Sequence, residues 1–230
     1  MVEICYTMKH FFLISLALIW TLAAICQETK LVIKKFKGSK QVYESYAVLK
    51  SDGKTKHGEY VSYFKAPGNV DKLIRKQTFK TDDYIKLRCV YKNGKKDGEW
   101  VEYSQPREFK IKGQYLNDQK VGIWLTSKEK GMVTERFDFD SKKKLPPIFY
   151  IYPRYPKSAI EAGLQGTVIA SYQTHEDCSI SNISITKSLS IDCDKAVVDA
   201  LNGFGVLLKK YGVDCEAETL TKDFEFKLVD

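Results

Sequence analysis

The chain has 230 residues, of which 43% are hydrophobic and 29% are charged, and these proportions exclude a wholly disordered protein. Its length allows one large domain or two small ones. The formal net charge is +8, but the lysines are spread along strand-like segments and form no compact basic cluster. We therefore do not expect a nucleic-acid-binding protein.

The first 26 residues have the pattern of a signal peptide. Lys9 and His10 give a basic start, and an apolar run of about 15 residues extends from Phe11 to Ile25, shorter than the roughly 20 residues of a membrane-spanning helix. Ala24 and Cys26 resemble the small residues of a cleavage site. We expect cleavage and export; retention of the segment, or lipidation at Cys26, is the alternative that leaves a membrane anchor.

Residues 27–145 alternate apolar and polar side chains around glycine-containing turns, which predicts a series of β-hairpins. Asn93-Gly94 is the strongest turn signal because both residues tolerate positive φ. A kernel of glycine, any residue and an aromatic residue recurs three times, at Gly58 to Tyr60, Gly98 to Trp100 and Gly122 to Trp124.

The stretch YKNGKKDGEWVEY resembles the bacterial variant of the MORN repeat, whose consensus runs Tyr-x-Asn-Gly-Lys-x-x-Gly-x-Trp-x-x-Tyr. The matching residues are Tyr91, Asn93, Gly94, Lys95, Gly98, Trp100 and Tyr103, with partial matches at Gly58, Tyr60 and Tyr63 and weaker ones at Gly122 and Trp124. The resemblance implies a degenerate array of stacked hairpins, because one hairpin cannot bury its aromatic face alone. We expect Tyr60, Trp100 and Trp124 to be core residues.

The stretch SKKKLPPIFYIYPRYP predicts an extended, exposed link, because it combines three lysines with Pro146-Pro147. We therefore divide the chain into residues 1–26, residues 27–145 and a C-terminal domain over residues 146–230.

The C-terminal domain begins with a predicted helix, strand and strand. Lys157 to Ala162 has the pattern of a short helix that ends at Gly163. A strand then opens at Gly166, and ISNISIT forms a second strand after a turn at HEDCS.

A longer helix and a final strand follow. Asp192 is the predicted N-cap of a helix from Cys193 to Leu208, which has an apolar stripe at helical spacing. The final strand, TLTKDFEFKLVD, alternates; its inward residues are Leu220, Phe224, Phe226 and Leu228. One helix covering a three-stranded antiparallel sheet, with a second short helix, gives a small α+β domain.

This order of elements resembles the C-terminal domain of TonB, the energy transducer of outer-membrane transport. The residues that carry the resemblance are Tyr155, Pro156, Ala159, Gly163, Gly166, Val168, Ser188, Cys193, Asp194, Ala196, Ala200, Leu201, Phe204 and Phe226. The chain departs from the family at LLKKYGVDCEAET, where the family has a proline-containing turn.

The resemblance implies that the domain binds an extended segment of an outer-membrane transporter, or of another envelope protein, as an added strand beside its last strand. The implied contact residues are Tyr155, Pro156, Leu220, Lys222, Phe224, Phe226 and Leu228. A periplasmic or cell-envelope protein linked to transmembrane transport is the first hypothesis. The second is a structural adaptor in which the repeats and the terminal domain bridge two envelope proteins without energy transduction.

The predicted elements also constrain the cysteines. Cys178 lies at the tip of the hairpin and Cys193 follows the second strand at its opposite end, roughly 30 Å away at about 3.3 Å per residue. The helix returns the chain toward the hairpin tip before Cys215, so we predict a Cys178–Cys215 disulfide. Cys89 and Cys193 are expected to be buried or free.

The sequence offers little catalytic chemistry. Only His57 and His175 follow the signal peptide, and no phosphate loop, nucleophile elbow or dinucleotide motif is present. A metal site built from His175 and Cys178 is a weak alternative, because the pair is crowded into a hairpin turn. We expect no enzyme, no cofactor, no metal and no small-molecule substrate.

Overall fold

The structure is a computed structural model that describes residues 28–228. The predicted signal peptide, residues 1–26, lies outside the described residues. Within residues 28–228, no helix combines the length and the apolar character that a membrane span requires.

The described chain is mixed α+β and mostly antiparallel, which confirms the predicted class. Its three helices are α1 (Asp71–Arg75), α2 (Lys157–Glu161) and α3 (Ile191–Tyr211). Its strands are β1 (Thr29–Lys35), β2 (Val42–Leu49), β3 (Lys56–Tyr63), β4 (Ile85–Lys92), β5 (Lys95–Gln105), β6 (Glu108–Leu116), β7 (Gln119–Lys128), β8 (Val133–Asp138), β9 (Lys143–Phe149), β10 (Gly166–Thr174), β11 (Ile180–Lys187) and β12 (Glu218–Phe226).

Strands β1 to β9 form a nine-stranded sheet in chain order. The chain divides into two compact units within β5, the first ending at Gly98 and the second beginning at Glu99. Successive hairpins explain the alternating pattern of residues 27–145. The MORN resemblance and the domain limits drawn from the sequence stay predictions.

In the first unit, a lysine lies among tyrosine rings of three neighbouring strands. The Nζ atom of Lys56 is 4.4 Å from the ring centroid of Tyr60, 4.9 Å from that of Tyr91 and 5.3 Å from that of Tyr46. These distances are typical of cation–π interactions. The rings therefore stabilise the sheet by packing around a cation, an arrangement that the sequence analysis did not predict.

The second unit repeats this arrangement around Trp124, which is 3% exposed. The Nζ atom of Lys120 lies 4.2 Å from its ring centroid, and Tyr115 packs edge-on against it at 5.0 Å. Lys56 and Lys120 each precede their aromatic partner by four residues, with a positive-φ glycine between, Gly58 or Gly122. A Lys-x-Gly-x-aromatic pattern was thus the available signal for these contacts.

Residues 143–149, which the sequence predicted as a link, form strand β9 instead. The segment is extended, as predicted, but it pairs with β8. Pro146 and Pro147 are tolerated because they lie at a register shift between the Leu145 and Ile148 pairs and have no ladder partner there, and because β9 is the last strand of the sheet.

The C-terminal part of the second unit contains the three-stranded antiparallel sheet, in the order β11-β10-β12, with α2 and α3. The core lies between α3 and this sheet, where Val197 and Leu201 meet Val168 and Ala170, all four with 0% exposure. Phe204 extends the core by edge-on contacts with Tyr172 and Phe149.

Helix α3 differs from the predicted helix at both ends. It begins at Ile191, and its N-cap is Ser190, whose Oγ accepts a hydrogen bond from the backbone N–H of Cys193 at 3.2 Å. The predicted cap, Asp192, is therefore wrong. Ser190 provides the extended backbone and the side-chain acceptor that an N-cap requires, two residues before the predicted cap.

Candidate partner-binding site

Strand β12 forms one edge of the three-stranded sheet and is hydrogen-bonded, among the described residues, to β10 alone. The pairing runs without a register shift from Glu218 opposite Thr174 to Phe226 opposite Gly166. A regular edge strand presents unpaired backbone donors and acceptors along its whole length.

Side-chain contacts indicate which backbone groups of β12 face outward. The Thr174 hydroxyl oxygen lies 3.4 Å from the Glu218 carbonyl oxygen, so this carbonyl faces β10. The Thr186 hydroxyl donates to the Ile169 carbonyl at 3.2 Å, which directs the backbone groups of Ile169 toward β11 and away from Asp223. Because orientation alternates along a strand, the outward-facing backbone groups belong to Thr219, Thr221, Asp223 and Glu225.

The opposite edge of the sheet is irregular. Strand β11 pairs with β10 through two register shifts, and Asn182 within it adopts a positive φ of 51°. Bulges of this kind twist an edge and interrupt its row of donors and acceptors. The uninterrupted edge for an added strand is therefore that of β12.

The predicted contact residues on β12 fall into two groups. Lys222 is exposed and Leu220 is half-buried, so both side chains are accessible from the edge. Phe224 and Phe226 are only 3% and 2% exposed, because both rings belong to the core beneath the helices. An added strand would therefore meet the backbone of β12 at these two positions and not the rings.

Leu228 lies beyond β12, which corrects the predicted end of the strand. The strand ends at Phe226, and the backbone N–H of Leu228 donates to Oε1 of Gln165 at 3.1 Å. The Gln165 side chain, and not a carbonyl of a neighbouring strand, accepts this hydrogen bond. The strand therefore ends two residues before Leu228, the predicted end of the edge.

Tyr155 joins β12 to the segment before α2. Its ring packs edge-on against Phe226 with centroids 5.2 Å apart, and its hydroxyl donates to the carbonyl of Leu164. Pro156 has a φ of −66° and is the N-cap of α2. The structure thus brings Tyr155 and Pro156 to the Phe226 end of the strand, while Leu220 lies toward the other end.

A groove of about 750 Å³ lies beside Tyr155 and Pro156. Ala196 and Ile160 give it apolar lining, and its charged lining has both signs, with Arg154, Lys157, Lys195, Asp192 and Asp199. Tyr152, which is 74% exposed, stacks on Tyr150 with an angle of 5° between the ring planes. The sequence analysis did not include Tyr150, Tyr152 or Arg154 among the predicted contact residues. The aromatic and basic run YIYPRYP was the signal that could have indicated them.

A disulfide fixes the loop that leads into β12. Cys178 at the β10–β11 turn is bonded to Cys215, the pairing that the sequence analysis predicts. Gly212 lies against it: a Cβ atom there would be 2.8 Å from each sulfur. The hydroxyl of Thr174 holds the same loop by donating to the Glu216 carbonyl at 2.8 Å.

The hairpin tip is also bound to α3 by charge. Nζ of Lys209 lies 2.6 Å from Oδ2 of Asp177. The hydrogen bonds from Lys209 and Ser179 hold the pKa of the Asp177 carboxyl well below its usual range. The turn between β10 and β11 is therefore attached to Cys215 by a covalent bond and to α3 by an ion pair.

Cys89, Cys193 and His175 lie in separate surroundings. Cys89 and Cys193 are free and buried, and burial raises the pKa of the Cys89 thiol to about 11. The Nε2 atom of His175 lies 2.8 Å from the Ser181 hydroxyl. Among residues 28–228, no group of three His, Cys, Asp or Glu side chains is placed to hold a metal ion.

The order of elements and the open edge of β12 agree with those of a known protein family. Residues 151–228 match the family model of the Gram-negative bacterial TonB protein C-terminal. This match supports the resemblance drawn from the sequence for the terminal domain, and we refer to residues 151–228 as the TonB-like domain. Comparison with curated proteins and with solved structures gave no significant match. A TonB-like domain indicates a protein of the bacterial cell envelope.

Proposed function

We propose that the chain is a periplasmic, non-enzymatic protein that binds an extended segment of an outer-membrane transporter, or of another envelope protein, by strand addition to β12. The observation that carries the proposal is the unbroken edge from Glu218 to Phe226, which contrasts with the bulged β11. Backbone hydrogen bonds to a sheet edge supply affinity in this mode of recognition. Through such a partner, the protein takes part in transmembrane transport.

Tyr155 and the adjoining groove support the same mode of binding. Since the Tyr155 ring contacts Phe226, the groove residues begin where β12 ends. A bound segment that continues past Phe226 would meet aromatic and apolar side chains there. We propose that β12 provides the backbone contacts and that this groove takes one side chain of the partner.

The decisive experiment blocks one outward-facing donor of β12. Thr221→Pro removes a backbone N–H that faces away from β10, whereas Thr221→Val changes the side chain and keeps the N–H. A photocrosslinking residue at position 219 should capture an outer-membrane protein in Gram-negative cells. The crosslink should persist with Thr221→Val and disappear with Thr221→Pro, while circular dichroism shows a retained fold.

A crosslinking residue at Asn182 on the bulged edge is the matched control. Equal crosslinking from positions 182 and 219, or full crosslinking with Thr221→Pro, would count against strand addition at β12.

A further inference from the structure

Strand β12 has charged side chains that no other described residue neutralises. Lys222, Asp223 and Glu225 are exposed, and none forms an ion pair or side-chain hydrogen bond within residues 28–228. On the same domain Lys209 is paired with Asp177, whereas the exposed Lys187, Lys195 and Lys227 have no ion pair within residues 28–228. The charges of β12 are thus available to a partner.

The residues opposite these charges on β10 are all uncharged. Lys222 lies opposite Ala170, Asp223 opposite Ile169 and Glu225 opposite Thr167. Cross-strand neighbours of opposite charge stabilise an antiparallel pair, and like charges destabilise it. Since β10 supplies no complement, only a strand on the free side of β12 can supply one.

The two faces of β12 differ in what they offer. Phe224 and Phe226 point to the helix-covered face, so Leu220 and Lys222 share that face by alternation. Asp223 and Glu225 therefore point to the opposite, exposed face. Their backbone groups also face the free edge, so the backbone and the side chain of each can contact the same added strand.

Resting on the proposed strand addition, we propose that β12 selects an extended segment with a defined alternation of charge. The segment has an apolar residue opposite Leu220, an acidic residue opposite Lys222 and basic residues opposite Asp223 and Glu225. Opposite residues 220 to 225 of β12, in that order, the segment has the pattern apolar–x–acidic–basic–x–basic. The segment can run parallel or antiparallel to β12. The occupant is thus a segment of another protein with two basic residues separated by one position.

The charge of the whole chain would select the opposite peptide. The net charge is +8, and a non-specific interaction would favour acidic segments. A preference for the basic pattern would therefore originate locally, at β12. General electrostatic attraction and the proposed charge pattern therefore predict opposite peptide preferences, which a binding measurement can distinguish.

The test measures binding of labelled peptides to the full mature chain by fluorescence anisotropy at low and high salt. The matched peptide contains Val-Thr-Glu-Lys-Thr-Lys within serine flanks, in both orientations. A permuted peptide, Val-Thr-Lys-Lys-Thr-Glu, has the same composition but places like charges opposite Lys222 and Glu225. The charge-exchanged protein carries Lys222→Glu, Asp223→Lys and Glu225→Lys.

We expect the matched peptide, in one orientation, to bind about tenfold more tightly than the permuted peptide at low salt, with the difference shrinking as salt screens the charges. The charge-exchanged protein should lose this preference. Equal binding of both peptides, abolished by Thr221→Pro, would overturn the charge pattern and leave strand addition standing. Binding of neither peptide, or binding unaffected by Thr221→Pro, would overturn both. A dimer of the free protein that Thr221→Pro dissociates would show that a second copy occupies the edge, and this too would overturn the proposed partner.

Discussion

The two sheets of this protein achieve stability in different ways. In the nine-stranded sheet, every strand pairs with its neighbour in sequence, and aromatic rings such as Trp124 pack with lysine side chains. In the three-stranded sheet, β12 pairs with β10 only after a 21-residue helix, and the core contains residues with no exposure, such as Leu201. The first sheet is therefore built from consecutive hairpins, whereas the elements of the second sheet share one core. Substitutions in the two sheets should therefore differ in the stability that is lost and in the number of elements that are affected.

The largest effect should come from the shared core. Leu201→Ala removes a side chain with 0% exposure that packs between α3 and the sheet. We expect the free energy of unfolding to fall by about 4 kcal/mol, since both transfer and cavity terms are lost. Hydrogen exchange should show faster opening throughout β10, β12 and α3. Ile33→Ala on β1, where the side chain is 53% exposed, is the control and should have little effect.

Loss of the disulfide should be somewhat milder. Cys178 and Cys215 are 37 residues apart, and replacing both with serine removes the constraint on the unfolded chain. We expect a loss of about 3 kcal/mol in the TonB-like domain, measured by denaturant unfolding. The control is reduction of the wild-type protein, which breaks the disulfide without a substitution. Replacing Cys89 and Cys193 with alanine is not an equivalent control, because both thiols are buried and their loss would itself affect stability. A reduced wild-type protein as stable as the oxidised one would contradict this prediction.

Much of the TonB-like domain could be predicted from its sequence, because its signals are local and strong. The period-two alternation in β12, the glycine after α2 and the apolar stripe of α3 each correspond to one element. The N-cap was wrong because Ser190 and Asp192 both suit that position, and only the backbone at Ser190 distinguishes them. The end of β12 was wrong because Gln165, distant in sequence, binds the Leu228 N–H.

The nine-stranded sheet was harder to predict. Its hairpins follow from alternation and turn residues, but Pro146-Pro147 indicated a link where the structure has an edge strand. The edge position of β9 and its register shift at residues 146–147 make these prolines tolerable, and both features depend on the pairing with β8. The two register shifts of β11 distinguish the two edges of the small sheet. One of them includes Asn182 with its positive φ, and the sequence alternation did not indicate either shift.

A third prediction concerns the close approach of Gly113 to the Trp124 ring in the nine-stranded sheet. A Cβ atom at Gly113 would lie 2.3 Å from the Trp124 ring, so Gly113→Ala forces the indole to move. We expect a loss of about 2 kcal/mol in stability and a red shift of tryptophan fluorescence as the ring becomes exposed. Gly131→Ala, where the added Cβ meets no atom within 4 Å, controls for space but also has a positive φ of 91°. The fluorescence shift, which backbone strain at position 131 would not produce, therefore decides the prediction.

Alkaline pH should weaken the nine-stranded sheet through Cys89. Burial raises the pKa of this thiol from 9.0 to about 11. Because the unfolded chain ionises at lower pH than the folded protein, stability is fully retained below pH 9 and is lost as the pH rises through 11. We expect a loss of up to about 2 kcal/mol. Burial and the hydrogen bond to Glu44 also raise the pKa of Tyr60, which adds a steeper loss above pH 10. In Cys89→Ala, the slope between pH 9 and 10 should flatten; an unchanged slope would assign the effect to tyrosines.

The smallest effect should come from a single cation–π contact. Lys56→Met keeps most of the apolar stem but removes the ammonium that lies within 5.3 Å of three tyrosine centroids. We expect a loss of about 1 kcal/mol, because the site is partly exposed, and a local increase in hydrogen exchange in β3. Lys56→Arg keeps a cation that can stack on these rings and should restore most of the stability. If Met and Arg variants were equally stable, the rings would be held by apolar packing alone, and the contrast between the two sheets would be one of topology and not of the forces that hold their aromatic residues.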